Sequence, residues 1–146
     1  MFRIHTDLDR RAIDARVVEL LDEVRLPDPV ASARAYPHEL SGGQRQRICI
    51  ARALALKPKL LLLDETFSGL RHEEAALLSK LVLGVRARGI SVLLIEHNMK
   101  VAMGLSDRLV VLDHGRLLAE GKPEEIRSDP RVVEAYLGKG ASAHAS

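Results

Sequence analysis

Leu60-Leu61-Leu62-Leu63-Asp64-Glu65 is the stretch that decides how this chain is read. A short continuous apolar run has the form of a strand buried on both faces of a parallel sheet. Pro58, just upstream, closes the helix before it. Two adjacent carboxylates then stand at the C-terminal end of the strand, where open α/β sheets place their ligands. Asp64 there can hold Mg²⁺ through water, and Glu65 can polarise an attacking water. Solvated acids at an ordinary strand end explain the pair equally well when it is taken alone.

Working upstream, Ser41-Gly42-Gly43 opens a helix over about residues 44–56, basic in its first turns and apolar later. Residues 28–37, bounded by prolines, read as a connector. Ile13, Val17, Leu20, Leu21 and Val24 recur at helical spacing and predict an amphipathic helix over residues 9–24. Downstream the alternation continues. A helix is expected over 72–88, capped by Gly89, followed by an apolar strand over 91–95 and a short helix over 97–105. A strand over 108–112 and another over 116–120 flank the tight turn Asp113-His114-Gly115, the pattern of a hairpin. Proline opens each of two short helices, 123–127 and 130–137, and the small polar tail 139–146 is expected to be disordered. Strands alternating with helices give an α/β fold with a parallel sheet.

Composition sets the outer limits. The 146 residues are 47% hydrophobic, which fits a folded chain and excludes an intrinsically disordered one. Only 3% are aromatic, with no Trp, so the core is built from Leu, Val, Ile and Ala. Twenty-two basic and 20 acidic residues leave a net charge of +2, which gives no electrostatic reason to expect nucleic acid as partner. Cys49 is the single cysteine, so neither a disulfide framework nor a multi-cysteine metal site is available. No apolar run approaches the ~20 residues of a membrane span, so direct membrane insertion is not expected.

Two further motifs carry chemistry. Leu40-Ser41-Gly42-Gly43-Gln44, followed by Arg45-Gln46-Arg47, sets a hydroxyl and unobstructed backbone N–H groups at a helix start, where the dipole favours an anion. An N-cap serine before turn glycines explains Ser-Gly-Gly by itself, but not the whole run. Ile95-Glu96-His97 follows the 91–95 strand, and its imidazole could donate to a phosphate oxygen. A parallel sheet would bring His97 to the same edge as Asp64 and Glu65.

These elements, in this order, resemble the ATP-binding cassette (ABC) family of transporter ATPases. Leu40 to Gln44 is similar to that family's signature motif, Leu60 to Glu65 to its Walker B strand with the catalytic glutamate, and His97 to its switch histidine. Ser68-Gly69-Leu70 resembles the start of its D-loop. The flanks point to two subfamilies. Tyr36-Pro37-His38-Glu39 with the signature through Arg47 is similar to oligopeptide and nickel importers. Leu94 to Met99 and Asp129 to Gly138 are similar to branched-chain amino acid importers, which the longer match favours.

The resemblance implies a partial P-loop NTPase. Residues 1–57 would form a helical subdomain with the signature motif, and 58–138 the C-terminal part of the RecA-like core. It implies ATP and Mg²⁺ as cofactors, a second ABC ATPase subunit and transmembrane permease subunits as partners, and a cytoplasmic place at the inner face of the membrane. ATP would lie between two cassettes. Ser41, Gly42, Gly43 and Gln44 would bind its phosphate across the dimer, with Ser41 and Gly43 on the γ-phosphate. Asp64 would sit on the Mg²⁺ water shell, Glu65 would be the general base, and His97 would hold the γ-phosphate and attacking water. Three departures stand out. No Gly-x4-Gly-Lys-Ser/Thr loop is present; the nearest string, Gly115 to Lys122, has five residues between its glycines and Pro123 in place of the hydroxyl. The N-terminal nucleotide-binding region is therefore expected to be missing. Thr66 stands where the family has proline after the glutamate, and Arg71 where it has an acid or Asn. Besides an ATPase subunit driving import of a small solute, the chain could be a non-catalytic half that completes a partner's ATP site, or a remnant without function.

Overall fold

Asp9 starts the first helix, its carboxylate accepting from the Ala12 N–H at 2.7 Å and so satisfying one of the donors a helix start leaves open. The computed structural model describes residues 9–137; the expected disordered tail lies outside them. The chain divides into two compact units, one ending at Leu93 and the other beginning at Leu94.

In the first unit, α1 (Arg10–Glu23) buries Leu20 and Leu21 and hands over to a reversal in which Arg25 takes φ +58°. The expected connector 28–37 holds a turn of helix, α2 (Pro29–Ser32), because Asp28 caps it and Pro29 is preset for the first helical position. α3 (Gly42–Leu54) packs against α1. β1 (Leu60–Asp64) follows, then α4 (His72–Ala87), which packs on α3 and buries Leu78, Leu81, Val82 and Val85. Gly89, at φ +81°, closes α4 with its N–H on the Arg86 carbonyl, as its position predicts. The Arg88 guanidinium returns to Glu23 of α1 at 2.8 Å.

β2 (Ser91–Ile95) lies beside β1, and the Ser91 N–H donates to the Lys59 carbonyl at 3.0 Å. Both groups sit at the starts of their strands, so the pair is parallel, with α4 as its crossover. One expectation fails here. β1 is not buried on both faces: Leu61 and Leu63 are covered, whereas Leu60 and Leu62 remain 58% and 56% exposed. An apolar run reports that a strand is capable of two-sided burial, but the described elements cover only one side.

The second unit carries the end of β2, α5 (Met99–Leu105), β3 (Leu109–Asp113), β4 (Arg116–Gly121), α6 (Pro123–Ser128) and α7 (Pro130–Val132), which runs into a π turn at Val133–Leu137. Helix α5 starts two residues later than expected, because Asn98 is its cap; Asn98 Oδ1 accepts from the N–H groups of Lys100 and Val101. β3 and β4 form an antiparallel hairpin, a separate sheet from the parallel pair. His114 and Gly115 take φ +46° and +76°, the backbone that a two-residue hairpin turn requires. The string Gly115 to Lys122 is thus a hairpin strand with its turn and not a phosphate loop. Leu109, Val111, Ala119, Ile126 and Val132 form this unit's core, without an aromatic.

Arg47 of α3 is only 7% exposed, and desolvation lowers its pKa. It donates to the carbonyls of Gly43 at 3.2 Å and of Val24 and Arg25 beyond the end of α1. Replacing it leaves those acceptors short of donors, so Arg47→Ala is expected to lower unfolding free energy by about 1–3 kcal/mol. A urea titration with unchanged slope and an earlier midpoint would show it; an unmoved midpoint would contradict it.

Candidate functional site

Ser41 caps α3 from an extended backbone, φ −64° and ψ 164°. Its Oγ accepts from the Gln44 N–H at 3.2 Å, and the Gln44 amide oxygen accepts from the Ser41 N–H at 2.7 Å. This reciprocal box pins the loop to the helix and uses the amide oxygen of Gln44 locally. The expected basic character of the helix start is turned elsewhere. Arg45 donates to the carbonyls of Leu40 at 2.6 Å and Pro37 at 3.3 Å, while Arg47 serves the end of α1. Both cations organise backbone.

The group that does meet the loop is one the sequence reading missed. Glu74 of α4 places Oε1 2.9 Å from Ser41 Oγ and 3.3 Å from the Gly43 nitrogen, accepting from both. Its Oε2 accepts from the Arg71 N–H at 3.2 Å, and the Arg71 side chain lies 3.6 Å away. A Cβ at position 43 would stand 2.9 Å from Oε1 and 3.0 Å from the Glu74 Cβ, so only glycine lets the carboxylate this close. No local signal could have found Glu74, since it is 33 residues from Ser41. Arg71, the departure after Ser68-Gly69-Leu70, is the N-cap residue of α4, and its backbone N–H is held by this same carboxylate.

Asp64 ends β1 with its side chain exposed. Glu65 follows in the left-handed region at φ 47°, a conformation costly for a residue with a Cβ. Its carbonyl accepts from the Ser68 N–H at 3.0 Å, closing a tight turn. Thr66 and Phe67, the two central residues of that turn, are buried, at 8% and 6% exposure. The strained residue is the one whose carboxylate the spacing singled out. His97 follows β2, is exposed, and belongs to the second unit. Within the first unit, the four residues Ser41 to Gln44 are held together as one capped helix start, and Asp64 with Glu65 as one strand end.

Among the described residues no group of three or more His, Cys, Asp or Glu side chains could hold a metal. A divalent ion fits this donor set only as a hydrated one, with one carboxylate and the oxygens of a bound anion. Among those residues, too, no helix is long and apolar enough to cross a membrane.

Two family models match the chain: "ABC transporter" over residues 2–68 and "Branched-chain amino acid ATP-binding cassette transporter" over residues 116–142. The lipopolysaccharide export system ATP-binding protein of Acidithiobacillus ferridurans is 45% identical over 123 residues, covering 84% of this chain and 50% of that protein. The high-affinity branched-chain amino acid transport ATP-binding protein of Pseudomonas aeruginosa is 42% identical over 120 residues, covering 82% and 46%. The dimeric structure of a post-hydrolysis state of an ATP-binding cassette bound to ADP and Pi superposes with a TM-score of 0.71 at 28% identity, over 84% of this chain and 52% of that one. The chain spans about half the length of these relatives.

The Glu74 carboxyl is held below its ordinary value of 4.5, chiefly by the Ser41 hydroxyl and next by the Arg71 and Gly43 N–H groups. A folded-state pKa below the unfolded one stabilises the fold fully above pH 4.5, and that stabilisation disappears as pH falls through the depressed value. Wild type is therefore expected to exceed Glu74→Gln in urea midpoint by a constant gap at pH 6–7 that closes on acidification below 4.5. A gap that widens on acidification would show that the charged carboxylate is not the stabilising form.

Proposed function

The chain belongs to the ATP-binding cassette family of transporter ATPases, and on that premise we propose that it is the signature-bearing part of an ATP-binding, ATP-hydrolysing subunit that energises import of a small solute. The observation that carries this reading is the loop Ser41 to Gln44. A capped helix start with a hydroxyl and glycine N–H groups at one point is suited to a phosphate oxygen. In this reading Ser41 and Gly43 meet the γ-phosphate of ATP bound to a second cassette, with Gly42 and Gln44 shaping the loop. Asp64 holds the water shell of Mg²⁺, Glu65 takes the proton of the attacking water, and His97 donates to the phosphate. Bound Mg²⁺ would supply neutralisation of phosphate charge. The strained backbone at Glu65 supports a positioned base, because strain of this kind is kept where the surrounding structure holds it in place.

Residues 1–57 then act as the helical subdomain and 58–138 as the rear of the catalytic core. A second cassette and membrane-spanning permease subunits are the proposed partners, at the inner face of the membrane. Branched-chain amino acids are the favoured cargo. The family match over residues 116–142 and the 42% identity to the branched-chain amino acid relative support that choice.

A second reading follows from the sequence itself, since none of the 146 residues forms a Gly-x4-Gly-Lys-Ser/Thr loop. The chain could give its signature loop to a partner's nucleotide without catalysing in its own site. Mixing the purified chain with a complete cassette subunit from the same genome tests both. Turnover of Mg-ATP is expected to rise several-fold over the complete subunit alone, and Ser41→Arg to abolish the rise. No rise with any such cassette would overturn both readings. Glu65→Gln separates them: loss of the rise, down to the rate of the complete subunit alone, belongs to the catalytic reading in which Glu65 is the general base. An unchanged rate belongs to the non-catalytic half.

A further inference from the structure

Ser41 has one hydroxyl proton, and it is already committed. Its Oγ donates to Glu74 Oε1 at 2.9 Å while accepting from the Gln44 N–H. The Gly43 N–H donates to that same carboxylate oxygen at 3.3 Å. The two donors assigned above to a phosphate oxygen therefore converge on an oxygen of this chain's own side chain. The Glu74 side chain is 13% exposed and anchored from behind by the Arg71 N–H, so it is held over the loop and not merely passing by. Arg71 and, through space, Arg47 are the cations that face it.

An arriving phosphate oxygen would meet a serine hydroxyl with only one lone pair left over, a glycine N–H already used, and a negative charge within hydrogen-bond distance of both. Engagement requires the carboxylate to leave and the hydroxyl to rotate. We propose that Glu74 is a positioning residue that acts through Ser41, occupying the phosphate place in the signature loop and setting the ATP level at which the loop engages. This rests on the reading of Ser41 and Gly43 as phosphate donors. Glu74 touches no substrate; it decides where the Ser41 proton points. The constraint at Gly43 belongs to the same device, because any larger residue would push the carboxylate off its seat.

The test is an ATP titration of the mixture of chain and complete cassette subunit in Mg²⁺. Glu74→Gln, which keeps the shape and removes the charge, is expected to lower half-saturating ATP by about fivefold, the scale of one charge-assisted contact, with the maximal rate within about twofold. Glu74→Asp, one methylene too short to reach both donors, should shift the same way if the glutamine variant does not fold. Glu73→Gln, an exposed neighbour on the same helix, should titrate like wild type. A role confined to folding would lower the maximal rate with the melting temperature and leave half-saturation in place. Unchanged or raised half-saturation in Glu74→Gln, in a mixture that wild type stimulates and Ser41→Arg does not, overturns this proposal alone. A mixture that no version of the chain stimulates overturns the phosphate reading and this proposal together.

Discussion

One carboxylate organises the first unit of this molecule. A helix begins with N–H groups that have no partner within the helix, and they must be satisfied or exposed. At α3 the solution comes from α4: Glu74 accepts from Ser41 Oγ and the Gly43 N–H with one oxygen. Its other oxygen accepts from the Arg71 N–H at the start of α4 itself. A single negative charge thus sits at two helix N-termini, where both dipoles favour it. The glycine at 43, the cap at 41 and the packing of α4 on α3 are mutually dependent through it.

Arg47 performs the converse task. Helix α1 ends in a turn with Arg25 in the left-handed region, and the carbonyls of Val24 and Arg25 are met by the Arg47 guanidinium. Burying a cation is unfavourable, and desolvation lowers the Arg47 pKa accordingly. Three carbonyls and the field of Glu74 offset that cost. Together the two groups tie α1, α3 and the start of α4 into one frame with polar contacts placed at helix ends. With Phe67 as the one buried aromatic among the described residues, such end contacts add specific registration to a largely aliphatic core.

Much of the fold was legible along the chain. Residues spaced by three and four located α1, Gly89 located the end of α4, and Asp113-His114-Gly115 located the hairpin. The strand at Leu60 was legible as a strand but not in its surroundings. Period and composition describe what a segment can bury, whereas Leu60 and Leu62 are exposed because the described elements cover the other face. The candidate site divides in the same way. Ser41, Gly43 and Gln44 were readable because a cap, a turn and a box are made within four residues. Arg47 was readable only as part of a basic run, because its carbonyl partners at the end of α1 become visible only when the helices are packed.

What the sequence determined by itself is therefore everything that depends on neighbours a few residues apart. That includes the element order, the caps, the hairpin turn, and the run of motifs that places the chain among the ATP-binding cassette ATPases. Tertiary structure alone decided what lies against those motifs. It set Glu74 on Ser41 across 33 residues of sequence and turned Arg47 toward carbonyls at the end of α1. It also put Glu65 into a backbone conformation that its residue type disfavours. The reason is physical: dihedral preferences and caps act through covalent proximity, while hydrogen bonds between distant groups exist only after packing has fixed where each helix end lies.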